Sequence, residues 1–193
     1  ISATTAIDIN VGFGEDPLQS KVYTEDVLDG SNQTSSKHLV KIGQADNLDS
    51  PTQKDQATKY IARVQLQSTS AVESTAEQLV VKQTKQTTVY LAAATDFDIS
   101  GSAKKLAQGW QNKAVTDLTK VTKKHPDEVK QLAIADHQQY FNRVDIELGT
   151  TAPDVKSKTT PERLALIKQG QSVDPDLLET YYQYGRYMLV ASS

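Results

Sequence analysis

Apolar residues recur at every second position early in the chain and at every third or fourth position later on. Ile7, Ile9, Val11 and Phe13 alternate with Asp8, Asn10 and Gly12, the period of a strand with one buried face. Residues 14–37 are rich in Ser, Asp, Gly and Asn, with one apolar patch at Val22 and Tyr23, and read as a long loop holding one short strand. A short strand is predicted from His38 to Ile42. Another follows where Tyr60, Ala62, Val64 and Leu66 alternate with Ile61, Arg63, Gln65 and Gln67. Asn47 to Asp55, with Pro51, reads as a loop. Two β-rich runs, Gln78 to Lys82 and Thr87 to Ala94, flank the polar residues Gln83-Thr84-Lys85-Gln86, so a hairpin with a four-residue loop is predicted.

Near residue 98 the period changes. Leu106, Trp110, Ala114, Leu118 and Val121 recur at helical spacing between Lys and Gln, which predicts an amphipathic helix. A second helix is predicted to open at Pro126, since proline suits the first helical position and Asp127 and Glu128 suit the positive end of the helix dipole. It carries Val129, Leu132, Ala133 and Tyr140 on one side. An extended piece from Val144 to Leu148 ends at Gly149, and residues 150–160 read as a linker. A short helix is expected over Pro161 to Lys168, closed by Gly170. The last helix is capped by Asp174, with Pro175 at its first position. Strands first and helices after argue for an α+β fold: an antiparallel β-sandwich portion over about residues 1–98, followed by helices.

The final helix is unusual. Glu179, Gln183 and Arg186 share one narrow face, and Leu177, Leu178, Tyr181, Tyr182, Tyr184, Tyr187, Met188 and Leu189 fill the rest. So wide an apolar surface belongs inside a helical assembly. Each large side chain left exposed forfeits about 1.5–3 kcal/mol of burial. The preceding helices and linker are too few to cover it, so the helix packs on the β portion, pairs with another chain, or belongs to a larger body.

Composition narrows the function. The 193 residues carry 21 basic and 24 acidic side chains, a formal charge of −3, which provides no strong draw toward nucleic acid or anionic membrane. There is no cysteine, hence no disulfide framework and no thiol chemistry. No run reaches the ~18 apolar residues needed to span a membrane as a helix. The chain begins at Ile1 in a strand-like pattern without a leader motif, and is expected to be an excised or processed piece.

Three segments carry a family resemblance: "HQQYFNRVDIELG" (137–149), "TTPERL" (159–164) and "DPDLLETYYQYGRYMLVASS" (174–193). Together they resemble the linker and first barrel helix of glycoside hydrolase family 95, the α-L-fucosidases and some related galactosidases. His137, Tyr140, Arg143, Val144, Leu148 and Gly149 fit the first part of that pattern. Glu162, Arg163 and Leu164 fit the second, and Tyr184, Gly185, Arg186, Tyr187, Leu189, Ser192 and Ser193 the third. "YIARVQLQ" and "TTVYLAAATDFD" also look like the last strands of the family's N-terminal sandwich. One departure stands out: the family's Pro-Thr-Asp before Glu-Arg-Leu is Thr159-Thr160-Pro161 here, which changes the local turn.

The resemblance implies an organisation of partial β-sandwich (1–98), helical linker (99–170) and first helix of a truncated (α/α)6 barrel (171–193). It implies a parent enzyme that hydrolyses terminal fucosyl bonds with inversion, one carboxylic acid protonating the leaving oxygen and a base activating water ~6.5–9.5 Å away. In the family those groups lie downstream of the segment matching "YGRYMLVASS". No catalytic, substrate-binding or metal residue is therefore assigned here, and no cofactor is implied. The implied partner is a fucosylated or galactosylated glycan, for the parent only. Neither nucleic acid nor membrane is expected as a partner. A homo-oligomer through exposed strand edges or the last helix is expected.

Asp96 and Asp98 could bind calcium or a sugar hydroxyl, or cap a loop, the commoner use of such a pair. Glu15, Asp16, Asp26 and Asp29 read as solvated loop charges. His38, His125 and His137 lack zinc spacing. His137 is expected to be hydrogen-bonded at the contact between sandwich and linker, near Tyr140. Arg143, Arg163 and Arg186 are expected to form interdomain ion pairs with Glu162 or Glu179. Trp110 and the tyrosines of residues 181–187 read as core rather than sugar platforms. "DINVGFGED" has Gly12 and Gly14 but lacks the third glycine of a phosphate loop. Two functions compete: an inactive portion of a fucosidase-like hydrolase, and a stand-alone β-sandwich carbohydrate-binding or scaffold module.

Overall fold

A computed structural model describes residues 1–14, 20–28, 35–45, 57–98, 100, 105–106 and 108–192. They form six strands and five helices, and every strand pairing is antiparallel, an α+β arrangement. The chain divides into two compact units, Ile1–Pro126 and Asp127–Ser193. Glu15, Asp16, Asp29 and the loop expected from Asn47 to Asp55 fall wholly or mostly outside the described residues.

In the first unit the strands are β1 (Ser2–Gly12), β2 (Lys21–Leu28), β3 (Ser35–Gln44), β4 (Lys59–Ser68), β5 (Val72–Ser74) and β6 (Gln78–Thr95). The one short strand expected within residues 14–37 is the eight-residue β2, and β5 was not anticipated. β2, β3 and β4 form a meander, and β4 pairs with the second half of β6, from Ser68 opposite Thr87 to Tyr60 opposite Thr95. The first half of β6 pairs instead with β1 and β5.

The hairpin predicted at residues 83–86 is therefore absent, and one 18-residue strand runs through it. The physical reason lies in how those polar residues are satisfied. Gln83 takes the left-handed conformation (φ 49°), and its backbone N–H donates to Asp8 Oδ1 at 2.8 Å. Thr84 is buried, with its hydroxyl 2.8 Å from Ser68 Oγ and donating to the Gln86 carbonyl at 2.9 Å. The β1 register shifts alongside, between Ser2 and Ile9. A bulge that bends a strand uses the same polar residues as a turn.

The bend creates two layers. Leu39, Val64 and Leu66 pack against Leu79 and Val81 from the first half of β6, with Val11, Phe13, Val22 and Val72 around them. On the other face of the meander, Val40, Ile61 and Ala94 meet Ala114 of α1 (Asn112–Val121), with Tyr23, Ile42, Ala92 and Trp110 alongside. Trp110 lies at the margin of this core as expected, but in the turn before α1 rather than in the helix its spacing predicted. Leu106 is not part of α1. It lies in an extended stretch whose N–H donates to the Asp96 carbonyl at 2.7 Å, and Gly109, at φ 94°, separates it from the helix.

The α1-side face also holds charge. Glu25, His38 and Gln65 stand opposite one another across β2, β3 and β4, with Arg63 two residues from Gln65. Arg63 pairs with Glu25. His38 is buried, its Nε2 lies 3.1 Å from Ser36 Oγ, and its Nδ1 has no hydrogen-bond partner. Burial, reinforced by the Arg63 charge, lowers the His38 pKa below its ordinary value. Because the unfolded chain then binds a proton that the folded one refuses, stability falls as pH drops below the unfolded value of about 6.5. Thermal melts at stepwise lower pH should show a declining midpoint, and His38→Gln should flatten that decline.

The second unit opens with α2 (Pro126–Phe141), which starts at Pro126 as expected, with Asp127 and Glu128 in its first turn. An extended stretch follows, with Gly149 at φ 117°. The linker then contains a short unanticipated helix, α3 (Pro153–Lys156). The last two helices are α4 (Thr160–Lys168) and α5 (Pro175–Ser192). Thr159 and Glu162 form a reciprocal capping box at the start of α4, and Gly170, at φ 67°, follows its end. None of α2, α4 or α5 contains a buried residue. None of the described helices is long and apolar enough to cross a membrane.

Candidate functional site

Two polar clusters organise the second unit. The first centres on Asp174, which is 1% exposed. Its carboxylate accepts from Arg163 Nε and Nη2, both at 2.7 Å, in a bidentate pair. It also accepts from the Thr151 hydroxyl at 2.6 Å and from the Leu177 backbone N–H at 3.1 Å. The last bond caps α5. The Thr151 hydroxyl in turn accepts the Asp176 N–H at 3.0 Å, and Lys156 pairs with Asp176 at 2.5 Å. One carboxylate therefore ties the linker, α4 and α5 together. The Arg163 guanidinium, aided by Thr151 and the Leu177 N–H, holds the Asp174 carboxyl far below the usual carboxylate range. Lys156 lowers Asp176 in the same direction, and the Thr159 hydroxyl and N–H lower Glu162.

The second cluster is the polar stripe of α5. Arg186 donates to the backbone carbonyls of Val144 (2.6 Å) and Phe141 (2.7 Å) and to Gln183 Oε1 (2.6 Å). Gln183 donates to Asp145 at 3.2 Å, and Glu179 accepts the Leu148 N–H. The guanidinium of Arg186 also lies 4.7 Å from the Phe141 ring centre. Backbone groups between Phe141 and Leu148 have no strand partner, so these side chains replace a sheet ladder. The narrow polar face of α5 is thus the one that grips the chain, and the broad apolar face is turned outward. Tyr181 is 77% exposed and Leu189 68%.

Chemically, both clusters tie neighbouring segments of the chain together. Neither contains a pair of carboxylic acids in contrasting surroundings, the usual mark of acid–base catalysis. Among the described residues no three His, Asp or Glu side chains converge as a metal site would require.

Both clusters fall inside a region with known relatives. Residues 125–193 match the family model described as the glycosyl hydrolase family 95 catalytic domain. Alpha-L-fucosidase 2 of Arabidopsis thaliana is 43% identical over 63 residues, covering 31% of this chain and 7% of that enzyme. The chain therefore spans only a small part of the relative's length, and its likeness to glycoside hydrolases rests on this matched segment.

Within the matched segment, the residues singled out from sequence occupy different places. Arg163 pairs with Asp174, while Glu162 serves its own helix cap. Glu179 receives a backbone N–H rather than a guanidinium. Arg186 holds carbonyl oxygens, and Arg143 lies over the Tyr140 ring at 5.0 Å. His137 stacks on Phe141 at 5.0 Å and lies 5.5 Å from Tyr187. Sequence reasoning found Asp174 as a cap but missed its pairing with Arg163 and Thr151. Its eleven-residue separation from Arg163 crosses a loop, where no periodic rule links two side chains. In the first unit, Asp96 and Asp98 act as loop caps: Asp96 accepts the Lys59 N–H at 2.8 Å and Asp98 the Ser100 N–H at 2.9 Å. Asp26 pairs with Lys37 at 3.1 Å.

Proposed function

We propose that the chain is a non-catalytic portion of a glycoside hydrolase resembling inverting α-L-fucosidases. The observation that carries this reading is the family-95 match over residues 125–193, reinforced by the identity to a named fucosidase. In this reading residues 1–98 are part of an N-terminal sandwich, 99–170 a helical linker and 171–193 the first helix of an (α/α)6 barrel. The parent takes a glycan ending in fucose, or in galactose. Its acid and base belong to barrel segments beyond α5, so the work of this chain is architectural. Arg163 and Asp174 set where α5 starts, Arg186 fixes its rotation against the extended stretch, and His137, Tyr140, Arg143 and Glu162 support the same frame. The outward apolar face of α5 is the surface on which the neighbouring barrel helices pack.

A paired assay with nitrophenyl α-L-fucoside tests this. The present chain should release no nitrophenol at any pH, whereas the parent polypeptide should turn the substrate over and yield β-L-fucose first, as inversion demands. Turnover by the present chain would refute its non-catalytic role. Early α-L-fucose from the parent would refute inversion.

A further inference from the structure

The two outer edges of the meander differ in chemistry. One edge is β2, which carries Lys21, Glu25 and Asp26, the charges by which natural edge strands resist pairing. The other is the second half of β6, Thr87-Thr88-Val89-Tyr90-Leu91-Ala92-Ala93-Ala94-Thr95, nine residues without a charge, a proline or a glycine. β4 covers only one side of it, and among the described residues no strand pairs with the other side beyond Thr87.

Which backbone groups are left open follows from two fixed points. Thr87 exchanges bonds with Ile1 at 2.9 and 3.0 Å, on the β1 side. Asp96 donates to the Lys59 carbonyl at 3.1 Å, on the β4 side. The register with β4 is unbroken from Thr87 to Thr95, so the side alternates at each residue. Even-numbered residues turn to β4. Val89, Leu91, Ala93 and Thr95 turn their N–H and C=O groups to the open side. Side chains of the same residues share the face of Val64 and Leu66, but the second layer does not reach them: Val89 is 42% exposed and Leu91 65%.

We infer that this edge joins a second copy of the chain, strand to strand, through a twofold axis at Ala92. An antiparallel partner must set open residues against open residues, so paired positions sum to an even number. Pairing Leu91 against Leu91 would place Thr95 of the second copy opposite Thr87, where Ile1 already sits. Shifting the axis to Ala92 avoids this. Val89 then faces Thr95 of the second copy and Leu91 faces Ala93 of the second copy, and the same pairs repeat across the axis. Each such pair exchanges two backbone bonds, and the free rungs of both edges are used without remainder. An uncharged strand meets its own copy with no like-charge repulsion, whereas β2 would not. Two Val89 and two Leu91 side chains close into one apolar strip. The contact is at the small end of specific interfaces, so the dimer is a weak one.

Sedimentation velocity over a concentration series tests this, starting from the 21.2 kDa monomer. The mass should approach twice that value at high concentration. Ala93→Pro removes an N–H aimed at the partner and spares the β4 ladder, and Leu91→Lys adds a charge to an exposed site. Each should weaken dimerisation at least tenfold with an unchanged circular dichroism spectrum. Tyr181→Glu, on the outward face of α5, should leave it intact. A monomer at every concentration overturns the inference, as does a dimer that survives Leu91→Lys or is lost with Tyr181→Glu.

Discussion

Asp174→Ala should loosen residues 151–178 while leaving the β unit folded. Three donors lose their acceptor together: the Arg163 guanidinium, the Thr151 hydroxyl and the Leu177 N–H. Loss of an N-cap costs about 1 kcal/mol, and breaking a fully buried ion pair about 3–5 kcal/mol. Asp174 is covered by its own partners rather than by a deep core, so an intermediate loss of about 2–3 kcal/mol is expected on the same scales. Amide exchange at Asp176, Leu177 and Leu178 should accelerate by one to two orders of magnitude. Asp174→Asn separates the contributions, since asparagine caps a helix as well as aspartate does but cannot pair with Arg163 as an anion. It should sit between the wild type and the alanine variant. Unchanged exchange in Asp174→Ala would show that the cluster does not hold α5. The acid response has a definite sign. The folded carboxyl pKa lies below its unfolded value of about 3.9, so the stabilisation is present above that pH and is lost progressively as pH falls beneath it.

Leu39→Ala should be the most damaging single truncation in the first unit. Leu39 is fully buried between the two layers, in contact with the cluster of Val64, Leu66, Leu79 and Val81. Removing its side chain forfeits transfer energy and leaves a cavity, together about 2–5 kcal/mol. The neighbours come from two strands held by ladders, β4 and β6, so the site has little freedom to collapse. Urea unfolding should show a lower midpoint with an unchanged slope. Leu91→Ala, at an exposed position on the same face, should shift stability by no more than about 0.5 kcal/mol. Equal effects of the two would mean that the layers do not pack as described.

Much of this was legible in the chain, for reasons that differ by element. Helix starts were clear because Pro126, Pro161 and Pro175 fit only the first turn and Asp174 only a cap. β4 and β6 were visible because apolar and β-branched residues fill them, β4 on both faces with Ile61 on one and Val64 and Leu66 on the other. β2 was read only as one short strand inside a loop because its outward residues are mostly charged or polar and only Val22, Tyr23 and Val27 mark its inner faces. The bend in β6 was misread because Gln83 to Gln86 satisfy their polar groups through Asp8 and Ser68, partners too distant in sequence for any local rule. The outward turn of α5 was half legible. Its narrow polar face could be drawn from spacing, but not that this face binds the carbonyls of Phe141 and Val144.

The span of β6 across both layers also orders events during synthesis. Thr87 must reach Ile1, 86 positions earlier, while Ser68 lies only 19 positions before it. As the chain leaves the ribosome, β2, β3 and β4 can pair with one another at once. β1 has to wait, unpartnered, until β6 emerges behind them. Closing so long a loop carries an entropic penalty that local pairing avoids, so insertion of β6 is the natural slow step of the first unit. The second unit has no such wait, since Arg163 finds Asp174 eleven residues further on. A nascent chain halted before Gln78 would expose the inner face of the meander to holdase chaperones, and one halted after Thr95 would not.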